Sequence, residues 1–206
     1  MLNLDLEKKI FTKNYLLIAG LDEVGRGPLA GPVVAGCAVI DNKFKINKNL
    51  ELIKDSKKLT PKKRIELFPY IKEEFNQVSV GICDHDIVDR INILQASLLA
   101  MKKALGALKQ KPNFLLIDGS MIIPNSSYLQ QNIIKGDELV FSIAAASIIA
   151  KVTRDNIMIK MHEIYPQYGF DKHKGYGTKM HLEALRKYGP CEIHRKSFKP
   201  VKLAIK

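Results

Sequence analysis

Residues 15–40 read YLLIAGLDEVGRGPLAGPVVAGCAVI, and the fold is decided here. The run 15–21, YLLIAGL, is apolar and short, so it predicts a buried strand. It ends on two adjacent acids, Asp22 and Glu23. A glycine-rich segment, GRGPLAGP, follows, and residues 33–40, VVAGCAVI, predict a second strand. Charge at the end of a buried strand is costly unless it is paired or holds a cation. Ligands of open α/β sheets bind at strand ends. The same stretch therefore predicts a sheet and the place on it where chemistry belongs.

Outward from this stretch, strands and helices alternate. Thr60-Pro61 is an N-cap and first-turn pair for a helix through about residue 75, with Pro69 expected to bend or divide it. VSVGI at 78–82 predicts a third strand. From about 86 to 109, Ile87, Ile91, Leu94, Leu98, Met101, Leu105 and Leu108 recur at steps of four and three. That is one apolar face of one long helix, and it reads as core packing. Pro112 closes the segment, and FLLID at 114–118 predicts a buried strand ending on Asp118. Residues 139–160 predict a second long helix with an alanine-rich start. Thr178 caps a third, which stops at Gly189-Pro190. The tail, 191–206, is basic and predicts no element. The whole reads as α/β, a central sheet flanked by helices. A boundary near 165, at YPQYGF, would divide a sheet domain, 1–165, from a C-terminal helical appendage and tail, 166–206, unless the two are continuous.

Composition narrows the function. The chain has 206 residues and is 46% hydrophobic, enough for a folded core. No stretch approaches the roughly 20 apolar residues of a membrane span. The N-terminus, MLNLDLEKKIFTKN, has no apolar signal core, so neither membrane insertion nor export is expected. Cys37, Cys83 and Cys191 are widely spaced and form no CxxC, which fits a reducing cytoplasm. The net charge is +12, of which residues 151–206 carry +8, with 13 basic and 5 acidic side chains. Such a field attracts polyanions, nucleic acid among them.

The acids carry the chemistry. Asp22 and Glu23 follow one apolar run, Asp118 ends another, and Asp137 stands in KGDEL just before the alanine-rich helix. Each has a plainer reading alone: a strand-end aspartate caps the next turn, and Asp137 is a helix-entry acid. If they converge, the four are an oxygen-donor set for Mg²⁺ or Mn²⁺. Two such ions can activate water and stabilise the leaving oxygen in phosphodiester cleavage. His85, His162, His173, His181 and His194 are scattered along the chain without zinc spacing. Gly25-Arg26-Gly27 lies beside the first acids. Its glycines let backbone amides approach a ligand, and arginine offers a forked donor for phosphate or ribose oxygens. A clamp of main-chain groups can feel a 2′-hydroxyl.

These residues resemble the signature opening of the bacterial ribonuclease HII family, in GLDEVGRGPLAGPVVAGCAVI at 20–40. The match continues in DSKKLTPKKR at 55–64, LLIDG at 115–119, KGDELVFSIAAASIIAKVTRD at 135–155, GYGTKMHLEAL at 175–185 and HRKSF at 194–198. The resemblance implies a ribonuclease H-like core with a mixed sheet and a C-terminal helical region. It implies cleavage of RNA in RNA–DNA hybrids and at single ribonucleotides in duplex DNA, leaving 5′-phosphate and 3′-hydroxyl ends, with Mn²⁺ or Mg²⁺ as cofactor. By the same likeness the four acids become Asp22, Glu23, Asp118 and Asp137, the clamp Gly25, Arg26 and Gly27, and the junction-sensing tyrosine Tyr176. Ser147 and Lys151, one helical turn apart, resemble the family's substrate-side helix, and Lys57 a backbone contact. Asp155 reads as structural. A monomer is expected, and the residues leave open whether the basic tail meets a replication clamp.

Two rivals stand beside this reading. A junction resolvase of the same fold would cut a DNA-only four-way junction. A non-catalytic hybrid binder would have no use for four acids facing phosphates.

Overall fold

A computed structural model describes residues 2–53 and 59–205. Its centre is a five-stranded mixed sheet of β1 (Leu17–Val24), β2 (Val33–Asp41), β3 (Gln77–Cys83), β4 (Phe114–Asp118) and β5 (Leu129–Ile133). The spatial order is β3-β2-β1-β4-β5. β1, β2 and β3 form an antiparallel meander, while β4 and β5 add in parallel. β1 runs through Asp22 and Glu23, which pair with Gly36 and Ala35 of β2, so both acids belong to the strand rather than follow it.

Two long helices cover the sheet. On one face lies α5 (Phe141–Ile164), whose alanines 144–146 join Ile18, Leu116 and Ile40 in one core. Gly20 and Gly36 explain the alanine-rich start of the helix. A Cβ at Gly20 would fall 2.2 Å from the Ser142 carbonyl carbon, and one at Gly36 2.2 Å from the Ala146 oxygen. Helix backbone touches strand backbone there, and small residues on both sides make it fit. The opposite face carries α3 (His85–Gly106), with Ala96, Ala100 and Ala104 turned to the sheet.

Four elements depart from the sequence reading. α3 is not one continuous helix: Asn92 has φ 65° and ψ 165°, and its side chain accepts from the amides of Leu94 and Gln95, capping a fresh helical start. α2 (Pro61–Glu74) begins at the Thr60 cap as expected, but it runs through Pro69 undivided. β5 reads LQQNI, a polar edge strand with no apolar alternation to announce it. α1 (Asp5–Phe11) carries Glu7, which is fully buried. Glu7 accepts from the Ser142 amide and hydroxyl, both at 3.0 Å, so it caps α5 from 135 residues away.

After α5 come a 3₁₀ turn (Pro166–Tyr168), α6 (Phe170–His173), α7 (Lys179–Tyr188) and α8 (Lys199–Lys202). Thr178 caps α7, and Gly189 ends it with φ 72°. The tail holds structure: His194 bridges Ala30, and Val201 packs on Leu29 and Leu185. Among the described residues no helix is long and apolar enough to cross a membrane.

Candidate active site

Parallel register levels the first acids. β1 and β4 pair through Leu21 and Ile117, and the next residue along each strand is Asp22 and Asp118. Alternation sends Asp22 toward α5 and Glu23 toward α3. The third acid enters through α4 (Gly136–Leu139), after a left-handed turn at Lys135. Asp118 Oδ1 accepts from the Gly136 amide at 2.6 Å and from the Asp137 amide at 3.4 Å, which fastens the two acidic segments together.

Asp22 is 7% exposed and Asp137 9%. Burial, together with the charges of Glu23, Asp118 and Asp137, holds the Asp22 carboxyl well above the usual carboxylate range, while a Ser147 hydrogen bond opposes the shift. Burial also raises Glu23, against the pull of Arg26, whose Nη1 lies 3.1 Å from Glu23 Oε1. Glu23, Arg26 and Asp118 border a cavity of about 260 Å³, walled by Leu94, Leu98 and Met101. Among the described residues no three acidic, histidine or cysteine side chains are already grouped as a metal shell. Carboxylate oxygens crowded into a buried corner suit a hard divalent cation, which would offset their mutual repulsion.

The other expected residues fall as follows. Gly25 has φ 99°, which an L side chain rarely adopts, and a Cβ there would fall 2.3 Å from Arg154 Nε. Tyr176 is 42% exposed, and its ring edge lies 3.7 Å from where a Cβ on Gly27 would stand. The glycine-rich segment and the tyrosine therefore share one surface. Ser147 reaches Asp22, and Lys151 is engaged by Asp155 at 2.6 Å. Lys57 lies outside the described residues.

Sequence reasoning missed what stands behind the loop. Arg154 and Arg195 are both fully buried and hold loop 25–32 by its carbonyls. Histidines scattered in sequence also meet in space. His173 stacks on His181 at 4.5 Å, and His181 Nε2 lies 3.0 Å from His194 Nε2. Burial pushes His181 and His194 down to about 4. His181 Nδ1 lies 2.9 Å from the Tyr176 carbonyl oxygen, so this cluster underlies the tyrosine turn. The single hint in the sequence was the placement of His181 and His194 inside the quoted blocks GYGTKMHLEAL and HRKSF.

A family model described as Ribonuclease HII matches residues 19–201. The chain is 52% identical over 194 residues to Ribonuclease HII of Caldicellulosiruptor bescii, covering 94% of this chain and 92% of that one. It is 50% identical over 206 residues to Ribonuclease HII of Acholeplasma laidlawii, covering 99% and 98%. Among solved structures it resembles the ribonuclease H2 from Pyrococcus horikoshii OT3, with a TM-score of 0.75, 30% identity, and coverage of 92% and 97%.

Proposed function

The chain belongs to the ribonuclease HII family and is an endonuclease of ribonuclease H type; from that premise we propose that Asp22, Glu23, Asp118 and Asp137 hold its divalent ions and that Gly25–Gly27 and Tyr176 grip the RNA strand. The family acts on RNA–DNA hybrids and uses divalent metals. We read the ions as Mg²⁺ or Mn²⁺, because the donors are all oxygens. When bound, such ions activate water and offset charge on the leaving oxygen.

The observation that carries this reading is the level placement of Asp22 and Asp118 at the ends of parallel strands, with the Gly136–Asp137 turn bonded to Asp118. Asp22 and Asp118 supply oxygens from the sheet, Glu23 from its other face, and Asp137 from α4. Ser147 holds Asp22 in orientation, and Asp155 orients Lys151 on the same face of α5. The backbone of Gly25–Gly27 approaches the ribose, and Tyr176 stacks where the strand changes from RNA to DNA. The products carry 5′-phosphate and 3′-hydroxyl ends. We further read the enzyme as a cytoplasmic monomer. Residues 1–165 form its catalytic part, and residues 166–206 are an appendage that supports the loop and the tyrosine.

The test is cleavage of duplex DNA containing one ribonucleotide, with Mg²⁺ and Mn²⁺ compared and a chelator as control. Asp118→Asn keeps the size and loses the charge, so kcat should fall by about 10²–10³-fold. A near-normal rate would remove Asp118 from the metal site. Cutting of a DNA-only four-way junction would favour the resolvase reading instead.

A further inference from the structure

Arg154 and Arg195 are fully buried, and neither makes an ion pair among the described residues. From α5, Arg154 donates through Nε to the Pro32 carbonyl at 2.9 Å, through Nη2 to Ala30 at 3.1 Å and through Nη1 to Lys174 at 2.9 Å. From the C-terminal segment, Arg195 donates through Nε to Gly31 at 3.0 Å and through Nη2 to Gly25 at 2.6 Å. Its Nη1 reaches both Pro28 at 2.8 Å and Arg26 at 3.0 Å. Every loop acceptor lies within residues 25–32. The remaining one, Lys174, comes two residues before Tyr176.

Burying two guanidinium groups without carboxylates is costly. Burial lowers Arg154 to about 10 and Arg195 to about 9, so both remain cationic at neutral pH. A loop that needed only rigidity could be closed by neutral donors. These two forks instead fix the loop by many points at once, which a planar guanidinium does and an ammonium does not. Arg154 also faces Tyr176, with its guanidinium carbon 6.0 Å from the ring centroid. The Leu29 amide donates to the Gly175 carbonyl at 2.8 Å, a second tie between loop and tyrosine turn.

We propose that Arg154 and Arg195 are positioning residues that fix the Gly25–Gly27 segment relative to the Tyr176 ring and so set the preference for an RNA–DNA junction over a uniform hybrid. This rests on the reading above that both elements touch the substrate. Arg154 grips the loop and the tyrosine turn with one side chain. Arg195 holds the loop from behind, so that it cannot drift away from the ring.

The experiment measures kcat and KM for Arg154→Lys and Arg195→Lys on two substrates: duplex DNA with a single ribonucleotide, and an all-RNA strand paired with DNA. The ratio of kcat/KM between them should fall about tenfold, through KM on the first substrate, while kcat on the uniform hybrid stays within about threefold. An equal loss on both substrates, or an unchanged ratio, overturns the proposal. Tyr176→Ala is measured in parallel. If it leaves the ratio intact, the underlying reading of Tyr176 is wrong. If it collapses the ratio and the lysine variants do not, only the positioning role fails. Adding Arg154→Lys to Tyr176→Ala should lower the ratio no further, because the two act as one unit. Should the lysine variants not fold, hydrogen exchange in the unaltered protein decides. The Leu29 and Gly31 amides, bonded to Gly175 and Ile193, should exchange as slowly as the core of β1. Exchange at the rate of an open loop overturns the proposal.

Discussion

Two residues, Glu23 and Val24, separate Asp22 from Gly25, and the two sides of that gap handle charge in opposite ways. Near the strand ends, Asp22, Glu23, Asp118 and Asp137 crowd together, and burial, reinforced by the charges of its neighbours, raises the carboxyl of Asp22. Beneath the loop, two cations are buried more deeply still, yet every hydrogen bond they make goes to a backbone carbonyl. Glu23 is paired with Arg26, but like charges still face one another around Asp22. The arginines are satisfied within the protein. Crowded like charge suits a site that takes up a ligand, and satisfied charge suits a frame that is held still.

Substitutions should therefore move stability in opposite directions on the two sides. The largest effect is expected at Arg195→Met, which removes the partner of four carbonyls, three of them in buried hydrogen bonds, and should lower stability by about 3 kcal/mol or more. Denaturant unfolding checks it, and a loss under about 1 kcal/mol would break the contrast. Acid comes next, through the histidines under the tyrosine turn. In the folded protein burial holds His181 and His194 near 4. Their neighbours are His173, Cys191 and, farther off, His85, with Asp171 and Lys174 acting on His173. The unfolded chain takes up these protons near pH 6.5, so stability is full above that value and is lost as pH falls toward 4. A melting temperature that stays flat between pH 6.5 and 5, before most carboxylates titrate, would refute it.

Glu7 sharpens the contrast, because it is a buried carboxylate used for structure. Burial raises it as it raises Asp22, but Glu7 accepts two bonds from Ser142. Glu7→Ala should lower stability by about 2 kcal/mol, read by denaturant midpoint. The smallest effect has the other sign. In metal-free buffer at pH 7, Asp22→Asn removes a repelled charge and should raise stability by about 1 kcal/mol, while Asn can still accept from the Glu23 amide and Ser147. A fall in melting temperature would show that Asp22 contributes to the frame after all.

Legibility in the sequence follows the same line. Apolar runs ending in acids announced β1 and β4, and Thr60 and Thr178 announced their helices, because burial pattern and cap chemistry are local. Asn92 was invisible, since the apolar spacing from Ile91 to Leu94 survives the break in α3. β5 was invisible because an edge strand need not alternate. The arginines were hidden for a different reason. Arginine in a sequence reads as surface, and a carbonyl cage for it is assembled from residues 25–32 and 174, which share no local pattern. Candidate ligands could be picked out one residue at a time, whereas their supports exist only once the chain has folded.

That dependence has a consequence for timing. Gly25 is made early, and Arg195, which holds it, follows 170 residues later. At roughly 5–20 residues per second, translation takes about 10–30 s to cover that distance. Until then the loop lacks its backing, and a growing chain beside its own messenger carries the acids proposed to hold metal without the grip proposed to use them.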